Sequence, residues 1–136
     1  MNFLQAIRAR RDAGSKPPGI SDGSEATIYA YKAPKGAKVP YIVLKTPVAG
    51  TISDDTATRG HDDPVQVSAF AADDGDAMTL LLNFTDWAEE AGAWEACAPS
   101  LSVVLTPAAP RCFRNPSGTY QATCDLTARI QRDRPG

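Results

Sequence analysis

The sequence predicts an α+β domain: a mainly antiparallel sheet, two helices packed on one of its faces, and a long projecting hairpin between the second and third strands. Three observations carry that reading. Four segments alternate apolar and polar residues with the period of a half-buried strand, a fifth is aromatic and β-branched, and two others repeat with the period of a helix. Between the second and third predicted strands, residues 54–63 (DDTATRGHDD) hold no apolar side chain larger than alanine and cannot be core.

Phe3, Leu4 and Ile7, followed by Arg8, Arg10 and Arg11, predict a helix over residues 2–11 that docks one apolar stripe and stops at Gly14. Residues 14–25 (GSKPPGISDGSE) form a connection in which helix and strand are both disfavoured. Residues 27–31 alternate as a first strand, with Ile28 and Ala30 to one side and Tyr29 and Tyr31 to the other. A lysine-bearing turn around Pro34 and Gly36 joins it to a second strand from Tyr41, which is aromatic and β-branched and can run past Pro47 to Ser53. The excursion over 48–63 is the projecting hairpin. Pro64 starts a third strand, in which Val65, Val67, Ala69 and Ala71 alternate with Gln66, Ser68 and Phe70.

Asp73, Asp74 and Asp76 announce the second helix, because carboxylates at that end accept orphan N–H bonds and oppose the positive dipole. Ala77, Leu80, Leu81, Phe84, Ala88 and Ala91 draw its apolar stripe, with Gly92 as the stop. Leu101–Thr106 alternates again, and residues 111–114 suit a short strand before an Asn-Pro-Ser-Gly turn at 115–118. The last strand places Tyr120, Ala122, Cys124, Leu126, Ala128 and Ile130 on a buried face and Thr- and Gln-rich positions on a wet one, leaving 131–136 as a flexible tail.

A chain of 136 residues, 43% hydrophobic and 22% charged, fits one domain spanning 1–136 with a core of its own. The net charge of −2 argues against a dedicated nucleic-acid binder. The local clusters Arg8/Arg10/Arg11 and Arg129/Arg132/Arg134 read as solvated faces. Three cysteines without a C-x-x-C spacing suggest neither a disulfide framework nor a zinc site. The N-terminal residues lack the apolar region of a signal peptide, and no run of about 18 apolar residues predicts a membrane span.

Reactive chemistry finds little support. The single histidine, His61, lies in a polar loop where nothing fixes its tautomer, so no Ser-His-Asp set can be argued. His61, Asp62 and Asp63 are adjacent on that loop and are poorly placed to converge on a metal. The Asp73–Asp76 run lacks the ligand spacing of a calcium loop. No phosphate-binding glycine motif is present, and Cys124 reads as a buried thiol. The sequence therefore predicts no catalytic, cofactor-binding or metal-binding residue, and a protein that is not an enzyme.

The helix Phe-Leu-x-Ala-Ile near the N-terminus, the stretch I-Y-A-Y-K-A-P-K-G-A-K-V-P-Y-I-V-L at 28–44, V-Q-V-S-A-F-A at 65–71, and G-T-Y-Q-A-T-C-D-L-T-A-R-I at 118–130 resemble the tail-terminator (tail-completion) family of long-tailed bacteriophages and gene transfer agents. The resemblance spans nearly the whole chain and is most specific in the basic Ala-Pro-x-Gly turn leading to Val-Pro-Tyr. It implies a sheet with helices on one side and a hexameric ring that caps the finished tail tube at the head-proximal end of the virion tail. The implied partners are other copies of the chain, the major tail tube protein and the head–tail connector or stopper, with DNA passing through the channel without specific binding and no membrane. Under this resemblance the interface residues are Lys32, Lys35 and Lys38 in the basic turn, with Asp54, Asp55, Arg59, His61, Asp62 and Asp63 in the excursion, where the aspartates repel passing DNA. Two rival readings are a head-completion or stopper protein and a small ligand-binding α+β domain that dimerises through its sheet.

Overall fold

The computed structural model describes residues 3–21, 23–45, 60–90, 101–107 and 110–132. In chain order the elements are α1 (Phe3–Asp12), β1 (Ile28–Ala30), β2 (Tyr41–Lys45), β3 (Gly60–Ala71), α2 (Asp74–Ala88), β4 (Leu101–Pro107), β5 (Arg111–Arg114) and β6 (Tyr120–Arg132). The six strands form one mixed sheet in the order β1-β2-β3-β6-β4, with β5 also paired to β6. Among the described residues only β1 and β2 run parallel, and the other pairings are antiparallel. This is the α+β fold that the alternation and helical periodicity predict.

Period-two alternation sorts the strands into two faces. Ile42 and Leu44 of β2, Val65, Val67, Ala69 and Ala71 of β3, and Ala122, Cys124 and Leu126 of β6 all point to the inner face and are buried. Both helices cover that face: α1 brings Ala6 and Ile7, and α2 brings Ala77, Leu80, Leu81, Phe84 and Ala88. Alanines at 69, 71, 77 and 122 put only methyl groups between the backbones, so α2 can lie close to β3 and β6.

The ends of both helices follow from local chemistry. Asp73 is the N-cap of α2, in extended conformation, and its carboxylate accepts from the Asp76 N–H at 2.7 Å. Helix α1 closes as a Schellman turn: Gly14 N–H donates to Arg11 O, Ser15 N–H donates to Arg10 O, and Gly14 adopts φ of 104°. The Asn115–Gly118 turn closes with Gly118 N–H on Asn115 O at 2.9 Å and joins β5 to β6 as a hairpin.

Several boundaries differ from expectation. The lysine segment does not close a hairpin, because β1 and β2 are parallel, with Ile28 opposite Ile42 and Ala30 opposite Leu44. Residues 31–40 instead carry the chain back to the start of β2, a reversal that local alternation cannot distinguish from a tight turn. Strand β3 begins at Gly60, not Pro64, and residues 60–63 are laddered to 128–131 of β6. A polar stretch thus enters the sheet because backbone pairing, not side-chain hydropathy, recruits it. For the same reason 131 and 132 belong to β6 rather than to a tail. Strand β2 ends at Lys45 among the described residues, so the rest of the expected hairpin, 48–59, lies outside them. Helix α2 ends at Ala88 with Glu89 as C-cap, ahead of the expected stop at Gly92.

Candidate functional site

Two surfaces concentrate exposed, chemically distinctive residues: the connection between β1 and β2, and the sheet face away from the helices. The connection is shaped by its own backbone. Tyr31 adopts φ of 70°, unusual for a non-glycine residue, and its N–H donates to Leu44 O at 2.8 Å. Ala37 N–H then donates to Pro34 O at 3.0 Å across a turn whose third residue, Gly36, has φ of 86°. A cis Val39–Pro40 peptide precedes β2. Lys32, Lys35 and Lys38 are all exposed, and none forms an ion pair with another described residue. Proline and glycine set the path while three cations project from it.

Of the other expected interface residues, those in the described part of the chain do not lie beside these lysines. Asp54, Asp55 and Arg59 lie outside the described residues. His61, Asp62 and Asp63 sit in β3 opposite Ile130, Arg129 and Ala128. Pro40 leads into Tyr41, which faces Phe70, nine residues along β3 from His61; that separation is about 30 Å along the strand.

The outer sheet face is not the uniformly wet surface that the Thr/Gln alternation suggests. Register builds three rows across it: Tyr41, Phe70, Gln121 and Phe113; then Tyr29, Val43, Ser68, Thr123 and Arg111; then Lys45, Gln66 and Asp125. The Tyr41 and Phe70 rings stack with centroids 4.9 Å apart, and Tyr29 meets Tyr41 edge-on at 5.7 Å. Thr123 and Ser68 are buried, their hydroxyls 3.1 Å apart, and the Gln121 amide donates to both, at 3.2 Å to Ser68 and 3.0 Å to Thr123. Each buried hydroxyl therefore has a partner, which removes the cost of taking it out of water.

Sequence reasoning missed one residue entirely. Arg10 is not on a solvated face: it is 1% exposed, with its guanidinium 3.9 Å from the Trp87 ring centroid. It donates to Trp87 O at 2.6 Å, to Ser15 Oγ at 3.2 Å and to Glu90 Oε1 at 3.1 Å. The indole N–H of Trp87 also donates to Ser15 Oγ, at 3.1 Å. A cation at the C-terminal carbonyls of α2 opposes the negative end of its dipole, so one side chain fastens α1 to α2. The signal was present: Ala6, Ile7 and Arg10 share a helical stripe, which places Arg10 on the docked face. Beside this joint, an open cleft of about 390 Å³ runs between residues 16–21 and α2, edged by Lys16, Ile20, Asp86 and Glu90.

Both described thiols, Cys112 and Cys124, have raised pKa values. Burial pushes the Cys124 thiol up to about 11, with Asp125 and Glu89 adding to it, as suits a core cysteine. Cys112 is exposed on β5, and slight burial and Asp74 raise it also. Among the described residues no group of three or more His, Cys, Asp or Glu side chains could hold a metal ion, and no helix is long and apolar enough to cross a membrane. Comparison with known proteins adds no relative to this description: no family model matches the chain, and no curated protein aligns with it significantly.

Proposed function

We propose that this chain is a structural virion protein that caps the tail tube as a hexameric ring, ending tube polymerisation and forming the joint to the head connector. The observation that carries the reading is the basic connection: the stretch in which the resemblance to tail terminators is most specific is also a backbone-shaped loop with three exposed lysines that pair with no carboxylate among the described residues. Such a loop suits a fixed contact with an acidic surface on a neighbouring copy or on the tube. The protein acts by shape. It occupies the growing end with enough of the tube subunit's docking surface to bind the last ring, and offers an upper face to which no further subunit adds. Asp54, Asp55, Asp62 and Asp63 keep the channel from holding DNA.

The test is direct. Cryo-electron microscopy of particles should locate the chain at the head-proximal end of the tail, and particles made without it should carry tails of uncontrolled length. Tails of normal length in its absence, or a position at the connector above the tail, overturn the terminator reading.

A further inference from the structure

We infer that the outer face of the sheet is a docking surface for a second copy of this chain, arranged as a two-fold pair with β3 stacked on β3. The inference rests on the register of the face and is independent of the tail reading. Strand order places β2 and β6 one strand to either side of β3, and β1 and β5 two strands to either side. Lys45 on β2 and Asp125 on β6 stand in the same row, both exposed, separated by Gln66 of β3. Two strand spacings put them about 10 Å apart at the backbone, and they form no ion pair with each other.

A two-fold axis running along β3 between stacked faces exchanges those positions. Lys45 of each copy then lies over Asp125 of the other, giving two ion pairs of opposite sense. The same operation sets Arg111, exposed at the β5 side, over the partner's Tyr29, at the β1 side of the same row, a cation above an aromatic ring. Phe70 meets its own copy on the axis, and Phe113, 48% exposed in each free chain, is covered. The face is thus self-complementary in sign, as an isologous interface requires. Aligned stacking of two twisted sheets rotates them by about 30°, an offset the long Lys and Arg side chains absorb.

Size sets the strength. Four strand spacings of about 4.8 Å by two side-chain repeats of about 6.8 Å, with a side chain's margin, give about 500 Å² per copy and about 1,000 Å² in all. That lies at the lower end of specific interfaces, so the pair is reversible and dilutable.

Sedimentation equilibrium on the full chain, across micromolar to millimolar concentrations at low salt, tests this with two charge reversals. Wild type is expected to show monomer–dimer exchange. Lys45→Asp leaves acid over acid and Asp125→Lys leaves base over base, so each variant alone should lose at least tenfold in dimer affinity while keeping its circular dichroism spectrum. Mixed in equal amounts, the two variants restore both pairs and should associate with each other within threefold of wild type. A wild type monomeric throughout, variants that associate as well as wild type, or a mixture that stays monomeric each overturn the inference. Failure of the tail reading is seen in particles instead, and leaves this result untouched.

Discussion

Replacing Arg10 by alanine is the sharpest probe of how the two helices are held. The substitution removes a donor from Trp87 O, whose hydrogen bond is buried, and from Ser15 Oγ; hydrogen bonds from a charged group are worth about 1.5–3 kcal/mol each when one partner is deleted. It also removes the guanidinium from the Trp87 ring, worth about 1–2 kcal/mol where partly desolvated. The ion pair adds little, because Glu90 is 62% exposed, and exposed pairs contribute about 0–1 kcal/mol. Since these losses share one side chain they do not add fully, and we expect a net cost of about 3–4 kcal/mol, a large part of the stability of a domain this size. Urea denaturation followed by circular dichroism and by Trp fluorescence measures it, alongside Glu90→Gln, which should cost no more than about 1 kcal/mol. If Arg10→Ala shifts stability by less than 1 kcal/mol, or Glu90→Gln costs as much as Arg10→Ala, the account of the joint is wrong.

Gly14→Ala should cost about 1 kcal/mol in the same assay, because alanine is strained at the positive φ that closes α1. Asp73→Ala should cost about 1 kcal/mol through loss of the α2 N-cap, with no change in oligomeric state. Cys124, with its thiol near 11, should resist iodoacetamide at pH 8 in the folded protein and react once the chain is unfolded in urea. The same raised value means that the neutral thiol is favoured by folding: its contribution is full below the unfolded value near 9.0 and is lost as pH rises through about 11, so Cys124→Ala should flatten the alkaline decline in stability. Reversing the basic connection with Lys32→Glu, Lys35→Glu and Lys38→Glu should leave the melting temperature within about 2 °C, since all three are exposed, and weaken attachment to tail tubes in a pelleting assay.

The parts of the fold that rest on period and capping were legible in the residues. The Ala77–Leu80–Leu81–Phe84–Ala88 stripe, the Asp73 cap and the inner face of β6 all express short-range patterns. Parallel pairing of β1 with β2 was not, because a turn-like run of Pro, Gly and Lys looks the same whether the next strand returns antiparallel or is carried round to run alongside. The polar start of β3 was missed because its ladder to β6 is a backbone property set by residues 65 to 71 positions away, Gly60 opposite Gln131 being the extreme pair. Of the candidate site, the exposure of the three lysines follows from their setting. The rows on the outer face could not be read, since they depend on which strands are neighbours and in what register. Arg10 was misread because composition treats an arginine as surface, whereas here Trp87, Ser15 and a helix end supply it with partners.

Strand β6 stands between β3 on one side and β4 and β5 on the other, although it comes last among the elements in chain order. During synthesis on the ribosome the earlier strands emerge without the neighbour they require, and the sheet cannot zip shut until that segment clears the exit tunnel. A nascent chain halted before residue 120 would expose the flank of β3 and invite capture by chaperones.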